Sequence, residues 1–250
     1  MHVSRIGFAS LKGTRHVDRQ SVDLAPEGPV GDRVFCLVDR ARSRVLRTVE
    51  NPTLMRTATR WQDGVLTAEL PSGTVEGAPA PTGETLEVDY WGRTVALEVL
   101  EGPWAAAYSH HLGYPVELAR SGRSGDVVYG GSVSLVTSSS LDCLAERLGA
   151  AVDSAQLRAT FTVQTEGEPP HVEDSWVGRR VRVGAAEVEV RSALPRCAVV
   201  DLDPATGRRC ADVLRTLAGY RRSGGEVVLG VDAVVTAPGR VEVGAAVERG

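Results

Sequence analysis

The 250-residue sequence predicts a mainly β protein with a few short helices, an α+β class closer to barrels than to alternating α/β folds. Short apolar or alternating segments are separated by turns rich in Gly and Pro, which is typical of strands. Only a few segments have the residue spacing of short helices. No segment repeats at a fixed period, so the strands are expected to build irregular β-rich units.

The first hundred residues are predicted to form strands joined by turns. The run RVFCLVD at 33–39 is apolar and ends in charge, and GVLTAEL at 64–70 alternates as a half-buried strand does. The segment 72–84 is rich in Gly, Pro and Thr and is predicted to be a loop. A hairpin is expected over 84–101, with its turn at residues 91–92.

Three short helices are predicted from their end signals. The first covers 103–112, with a proline in its first turn and Gly113 just past its end. The second is expected to be capped by Ser139 and to end at Gly149, with an acidic residue three positions after the cap. The third is predicted within 210–221, where apolar residues follow helical spacing.

The second half contains further strands. SVSLV at 132–136 suits a strand, and 179–192 reads as two alternating runs around Gly184, which predicts a hairpin. Residues 226–247 are predicted to be strands around a Pro-Gly turn. Glu173 and its acidic neighbour at 174 are interpreted as a solvated turn, because adjacent residues on an extended chain face opposite ways.

The charge pattern argues against nucleic acid and membrane partners. The formal net charge is -4 with an isoelectric point near 5.8, and Lys12 is the single lysine among 28 basic residues. Such a balance gives no global attraction to polyanions. The N-terminus has no secretory signal pattern, and no apolar run reaches the roughly 18 residues of a spanning helix. A cytoplasmic protein is expected.

The cysteines and histidines form no recognisable metal motif. Cys36, Cys143, Cys197 and Cys210 include no CxxC pair and lack a zinc spacing with histidine. The adjacent His110–His111 pair points in two directions on a helix, so a structural or surface role is expected. Rossmann, Walker A, GxSxG and HExxH motifs are absent. For Cys197, between an arginine and the turn DPATG, a packed thiol, a nucleophile and a metal ligand all stay open.

Six short motifs in one order carry a family resemblance. They read TSSSL at 137–141, QLRAT at 156–160, EDSW at 173–176, RC at 196–197, DPATG at 203–207 and YR at 220–221. In this order they resemble the MOSC family, the domain shared by molybdenum cofactor sulfurases and the amidoxime-reducing component. GPVGDRVFCLVD and ENPTLMR in the first half resemble the N-terminal β-barrel domain that accompanies MOSC. The resemblance implies a β-barrel domain over 1–100, a MOSC β-barrel domain over 101–250 and a cleft between them.

The resemblance also implies a molybdenum cofactor held through its pterin and terminal phosphate. Its protein contacts, carried over by position, are Ser10, Lys12, Arg33, Thr137, Ser140, Arg158, Thr160 and Arg196. Cys197 takes the place of the thiolate ligand to molybdenum and is the expected catalytic residue, and Arg196 is expected to favour the thiolate. Pyridoxal phosphate is not expected.

Four positions depart from the family pattern. Ala9 stands where a lysine is usual, which leaves Lys12 two residues late. Val49 stands where an arginine is expected, with Arg47 nearby. In the arginine-proline-asparagine segment, Ala159 replaces the proline and Thr160 the asparagine. Loss of two cations and an amide is expected to weaken a phosphate clamp by a few kcal/mol, on the order of 1–3 kcal/mol for each charged hydrogen bond.

The resemblance leaves three functions open. The first is a molybdenum-dependent oxidoreductase that reduces N-hydroxylated small molecules or related N- and S-oxides. It needs a separate flavin or iron–sulfur reductase, because no ferredoxin-like cysteine cluster is fused to this chain. The second is a sulfur carrier or sulfurtransferase with a persulfide on Cys197. The third is a binding protein without redox chemistry, in which Cys197 is a packed thiol.

Overall fold

The computed structural model describes residues 1–121, 127–128 and 130–250. It is mainly β, with three α-helices among those residues, as the sequence predicts. The strands are, in chain order, β1 His2–Phe8, β2 Val17–Arg19, β3 Ser21–Ala25, β4 Gly28–Pro29, β5 Phe35–Asp39, β6 Arg44–Val45, β7 Ala58–Gln62, β8 Val65–Leu70, β9 Gly73–Gly77, β10 Ala80–Tyr90, β11 Arg93–Glu101, β12 Glu117–Ser121, β13 Val133–Thr137, β14 Phe161–Gln164, β15 Arg180–Val183, β16 Ala186–Pro195, β17 Arg222–Ser223, β18 Glu226–Ala237, β19 Gly239–Glu242 and β20 Val247–Arg249. The α-helices are α1 Trp104–Leu112, α2 Ser138–Leu148 and α3 Val213–Ala218. Short 3-10 helices cover Pro52–Arg56, Ser154–Leu157, Val172–Trp176 and Ala198–Asp201.

The larger sheet has the strand order β2-β1-β14-β13-β18-β16-β15-β20, with β17 paired to β18. Its two ends come together, because the backbone amide of Val3 donates to Ala245 and a bridge joins His2 to Ala246 beside β20. Alternate residues of β16 explain the packing: Val188 and Val190 are buried, while the intervening glutamates face outward. The result is a β unit that nearly closes around one apolar core.

The second β unit is a closed ring of five strands in the order β10-β11-β12-β5-β6. A single parallel pair between Asp89 and Arg44 completes it, so it is not a regular barrel. β1 and β2 come from the first hundred residues yet join the larger sheet, whereas β12 joins the ring. The division at residues 100 and 101 stays a prediction, since strand pairing alone does not define independently folding units.

Two smaller sheets complete the β structure, with the orders β19-β3-β4 and β7-β8-β9. β8 matches the predicted half-buried strand, with Leu66, Ala68 and Leu70 facing the core. The loop predicted over 72–84 is wrong, because it contains β9 and the start of β10. β9 is an edge strand, and β10 has an irregular register between Pro81 and Thr85, so both tolerate residues that suit loops.

The predicted helices are present, with a correction at one cap. α1 lies between Pro103 and Gly113, and Gly113 has the left-handed conformation of a C-terminal cap. Ser139 does not cap α2; Thr137 does, and its Oγ1 accepts a hydrogen bond from the amide of Ser140. Residues 137–140 all carry hydroxyls, so the sequence does not show which of them caps the helix. The cap is Thr137 because β13 ends there.

Helices α2 and α3 pack together beside the larger sheet. Leu144 of α2 and Leu217 of α3 are fully buried in a common apolar cluster with Val136 of β13. Helix α1 packs instead beneath the ring, where Trp104 and Tyr108 are buried. None of the helices in the described part of the chain has the length and apolar character needed to cross a membrane.

Candidate functional site

A cavity of about 360 Å³ is lined by residues from the ring, the larger sheet and the segments between them. Among the described residues its wall has five cationic side chains and one carboxylate, that of Glu226. The cations are Lys12, Arg33, Arg47, Arg158 and Arg196. Cys197 opens onto the same cavity, and its side chain is exposed. The site is therefore strongly positive, with a thiol at its edge.

Lys12 reaches the cavity from a tight turn. The hydroxyl and amide of Thr14 both donate to the carbonyl of Leu11, and Gly13 has the positive φ that closes this turn. The Lys12 ammonium donates to the phenol of Tyr90 at 2.9 Å. Burial and the nearby charges of Arg33 and Arg158 lower the pKa of Lys12 to about 7. At neutral pH the amine is thus close to half protonated.

Arg33 and Arg158 form the inner wall and are held by few anionic groups. Arg33 pairs with the buried Asp32 at 3.1 Å, and its Nη2 lies 3.4 Å from Nε2 of His16. Burial raises the pKa of Asp32 against the opposing effect of Arg33. Arg158 donates from Nη2 to the carbonyl of Thr14 at 2.8 Å, whereas its buried Nη1 meets no hydrogen-bond partner among the described residues.

The backbone of this inner wall is strained, and its positive charges lie close together. Arg33 and Arg158 both have left-handed conformations, with φ of 50° and 51°. Burial and the neighbouring Arg33 lower the pKa of Arg158 to about 9. Behind them, burial and the same arginines lower the pKa of His16, so this imidazole is neutral at pH 7. Together these groups form a cluster of positive charge that an anion would stabilise.

Arg196 and Cys197 follow β16 on the other side of the cavity. The Arg196 guanidinium donates from Nε to Leu229 at 2.8 Å and from Nη1 to Leu157 at 2.7 Å, both backbone carbonyls. Its buried Nη2 has no partner in the part of the chain that the structure describes. Burial lowers the pKa of Arg196 to about 10, which leaves it cationic at neutral pH. Cys197 then begins the 3-10 helix Ala198–Asp201.

The turn after Cys197 is built by Asp203. Its Oδ1 accepts hydrogen bonds from the amides of Ala205 and Thr206 and from the Thr206 hydroxyl, the last two at 2.7 Å. These bonds, that of the Thr206 hydroxyl first, lower the pKa of Asp203. Gly207 closes the turn at φ 68° and lies directly against Pro52. The turn therefore fixes the Cys197 loop against the Pro-Leu segment of the first half.

Four predicted site residues lie outside the cavity lining. Ser10 is buried, and its Oγ accepts from the amide of Trp61. Thr160 is buried too, and its Oγ1 accepts from the amide of Ser134, which does line the cavity. Thr137 and Ser140 are also buried, and their hydroxyls face a carboxylate rather than the cavity. Their roles as cofactor contacts stay predictions.

That carboxylate is Glu173, and the solvated turn predicted for it is wrong. Glu173 is fully buried and accepts from Thr137 at 2.6 Å and from Ser140 at 2.7 Å. It lies in the 3-10 helix Val172–Trp176, whose compact turn directs it inward while Asp174 pairs with Arg221. Glu173 therefore joins this 3-10 helix to the start of α2.

Sequence reasoning missed part of the cavity wall. Tyr90 and Trp91 line it, and neither motif nor spacing singles them out as site residues. Gln156 also lines it as the first residue of QLRAT, although the resemblance assigns contacts in that motif only to Arg158 and Thr160. Arg47 also lines it, although the resemblance indicates a cation only at position 49. For Trp91 the sequence indicates only a hairpin turn at 91–92, and a turn does not show which surface its side chains face.

Comparison with known proteins places these features in a family. The family model described as the MOSC domain matches residues 108–248, more than half of the chain. The molybdenum cofactor sulfurase of Aspergillus clavatus is 34% identical over 71 residues, which are 28% of this chain and 8% of that relative. The match thus spans less than a tenth of the curated relative's length.

Among solved structures, the YUAD protein from Bacillus subtilis matches with a TM-score of 0.46 and 11% identity, over 97% of this chain and 91% of that one. YiiM from Geobacillus stearothermophilus matches with a TM-score of 0.36 and 17% identity, over 48% of this chain and 54% of that one.

Proposed function

The chain belongs to the MOSC family, which confirms the resemblance, and from this premise we propose that it is a molybdenum-cofactor-dependent oxidoreductase. Its substrates are N-hydroxylated small molecules or related N- and S-oxides. The observation that carries the proposal is one cavity that combines five cations with the exposed thiol of Cys197. A polyanionic cofactor and a thiolate-binding metal need these two features together.

The residues present fit such a cofactor. Nη1 of Arg158 and Nη2 of Arg196 are buried donors that lack a partner among the described residues, and buried charged donors are costly unless paired. Both residues line the cavity, so an anionic phosphate bound there would offset their buried positive charge. Lys12 and Arg33 add charge to the same wall. The cofactor's family association thus agrees with the chemistry of the donor set.

Different residues would hold the phosphate and the metal of the cofactor. Arg158, Arg33 and Lys12 would hold its phosphate, with Arg158 aimed by its bond to Thr14. Cys197 would ligate molybdenum, and the turn built by Asp203 restricts where the sulfur lies. When bound, the cofactor supplies the two electrons that cleave the N–O bond, which with two protons gives the N–H product and water. A separate flavin or iron–sulfur reductase is the proposed electron donor.

A sulfur carrier is the second candidate, and the exposure of Cys197 is the observation that favours it. A persulfide must reach a partner's thiolate or acceptor, and an exposed sulfur next to Arg196 permits that approach. This reading uses the same cysteine, but it does not need the buried donors of Arg158 and Arg196.

Metal and pterin analysis separates these candidates. The chain, Cys197→Ala and Cys210→Ala are purified from a host that makes the molybdenum cofactor. Cys210 is the matched control because it is also exposed but does not line the cavity. We expect one molybdenum per chain in the wild type and in Cys210→Ala, and loss of the metal in Cys197→Ala.

Mass spectrometry of the same samples tests the alternative. Metal-free wild-type protein that carries a persulfide at Cys197 would overturn the oxidoreductase and support the sulfur carrier. Wild-type protein with neither metal nor persulfide would contradict both. Reduction of a hydroxamic acid by the loaded wild type, with a chemical reductant as electron source, completes the positive result.

A further inference from the structure

Lys12 is the one lysine of the chain, and it lines the cavity together with Tyr90. Its ammonium donates to the phenol of Tyr90 at 2.9 Å and lies 4.7 Å from the centre of the same ring. Burial raises the pKa of Tyr90 to about 12, so the phenol keeps its proton at neutral pH. A neutral phenol does not hold a lysine in its charged form as a carboxylate would.

The groups around Lys12 favour its free amine. Burial, and then the charges of Arg33 and Arg158, lower the pKa of Lys12 to about 7. Cys36 and Asp32 act in the opposite direction. Burial raises the pKa of the Cys36 thiol to about 12, however, and Asp32 pairs with Arg33 at 3.1 Å. About half of the Lys12 side chains thus carry a free amine at pH 7, against roughly one in 3000 for an ordinary lysine.

A free lysine amine beside other cations is the form that reacts with carbonyl groups, and it gives imines with aldehydes and ketones. That reaction moves protons between the nitrogen and the carbonyl oxygen. The hydroxyl of Tyr90 both donates and accepts hydrogen bonds, and it lies 2.9 Å from the Lys12 nitrogen. Tyr90 is therefore placed to transfer these protons.

The arginines of the same wall indicate which carbonyl compounds would bind. Arg33, Arg47 and Arg158 line the cavity with Lys12. Guanidinium groups bind phosphate oxygens through paired, charge-assisted hydrogen bonds. The cavity volume of about 360 Å³ is at the small end of the range for ligand pockets, which suits a small metabolite. The wall thus combines a reactive amine with cations suited to a phosphate group.

We propose that Lys12 is a covalent binding site for small phosphorylated aldehydes, held as an imine while the arginines of the wall bind the phosphate. The amine nitrogen attacks the carbonyl carbon, and Tyr90 passes a proton from that nitrogen to the oxygen. The resulting hydroxyl gains one proton from solvent and leaves as water, and a protonated C=N bond to Nζ remains. Neither partner is oxidised or reduced. This activity goes beyond the proposed function, because it needs no metal.

Borohydride trapping followed by peptide mapping tests the site. The full chain, made in a host without the molybdenum cofactor, is incubated with glyceraldehyde 3-phosphate at pH 7 and reduced, which converts an imine to a stable secondary amine. We expect one adduct per chain, mapped to Lys12 and not to the α-amino group of Met1, and no adduct at position 12 in Lys12→Arg. Glyceraldehyde, which lacks the phosphate, should need a concentration about 10- to 100-fold higher for equal labelling.

The wild type unfolded in guanidinium chloride is the control for intrinsic reactivity, and its Lys12 should lose the adduct because the pKa returns towards 10.5. A folded wild type with no adduct, or with an adduct confined to Met1, would overturn the site. Equal labelling by the two aldehydes would overturn the recognition of the phosphate. Equal labelling of Lys12 in the folded and unfolded chains would show that the cavity does not activate it.

Two tyrosine variants test the proton transfer. Tyr90→Phe keeps the ring but loses the hydroxyl, so the adduct at Lys12 should form about 100-fold more slowly. Tyr114→Phe is the matched control, because Tyr114 does not line the cavity and its hydroxyl donates to Asn51. An unchanged rate in Tyr90→Phe would contradict the role given to Tyr90. No metal enters the labelling, so its failure and the failure of the oxidoreductase are separate results.

Discussion

Replacing Lys12 by arginine should remove a pH dependence of anion binding. The free cavity holds the pKa of Lys12 at about 7, against 10.5 for an ordinary lysine, because of burial and then Arg33 and Arg158. A bound dianion offsets that repulsion and favours the ammonium form. Binding above pH 7 must therefore take up a proton, and affinity falls as pH rises. Arginine stays charged, so Lys12→Arg is expected to bind independently of pH.

The size of the effect follows from the pKa of about 7. One linked proton changes affinity up to tenfold per pH unit above that value, so sulfate affinity should fall roughly 30-fold between pH 6 and pH 8.5. Sulfate stays a dianion over this range, and the range ends below the pKa of about 9 for Arg158. Other groups facing Lys12 are Asp32, Cys36 and Tyr90.

The free energy of unfolding of the ligand-free protein should rise with pH, whereas anion affinity falls. Between pH 7 and 10.5 the unfolded chain keeps the Lys12 proton that the folded chain has lost. Since the unfolded state then binds more protons, stability rises with pH by about 1.4 kcal/mol per unit from this group. Below pH 7 both states are protonated, and the cost of burying the charge is present in full.

The assay is isothermal titration calorimetry with sodium sulfate at constant ionic strength, repeated in buffers of different ionisation enthalpy to count protons taken up. Lys12→Met is the second control, expected to bind more weakly at every pH and to take up no proton at this position. A wild-type dissociation constant that is flat from pH 6 to pH 8.5 would refute the reasoning. So would a Lys12→Arg variant that retains the full slope.

Two further predictions concern the scaffold of the site and are measured by thermal unfolding. Glu173→Ala removes the charged acceptor of the buried Thr137 and Ser140 hydroxyls, which the bond between the two hydroxyls replaces only in part. The loss should cost about 3 kcal/mol and lower Tm by roughly 6–12 °C, and a loss below 2 °C would show that water replaces the carboxylate without cost. Gly207→Ala places a methyl carbon 2.0 Å from the carbonyl oxygen of Pro52 at φ 68°, so a loss of about 2–4 kcal/mol is expected, and an unchanged Tm would contradict the packing of this turn.

Local chemistry was enough to predict the elements whose signals agree with each other. The hairpin over 84–101 combines alternating residues with a two-residue turn, and α1 combines a proline start, a four-residue apolar spacing and Gly113. The loop predicted over 72–84 fails for a tertiary reason. β9 gains its hydrogen bonds from β8, and composition does not report whether a neighbouring strand edge is available.

The site shows the same division between local and tertiary information. Cys197, Arg196 and Arg158 could be placed from ordered motifs, and all three line one cavity. The burial of Glu173 could not be predicted, because an acidic pair in a short segment is usually solvated. Its inward direction depends on the hydroxyls of α2, which the sequence separates from it by more than thirty residues.

Two of the departures from the family pattern, at positions 9 and 49, have different consequences once their surroundings are known. Ala9 is fully buried, and its amide donates to Asp32, so position 9 packs inside the protein and carries no cation. The turn at Gly13 instead brings Lys12 to the cavity. Position 49 does line the cavity as an exposed valine, and Arg47 supplies a cation two residues earlier. Positive charge is therefore retained from shifted positions in both cases. The change at 49 thus places an apolar side chain in the cavity wall where the family pattern has a cation, and Arg47 keeps positive charge in the same wall.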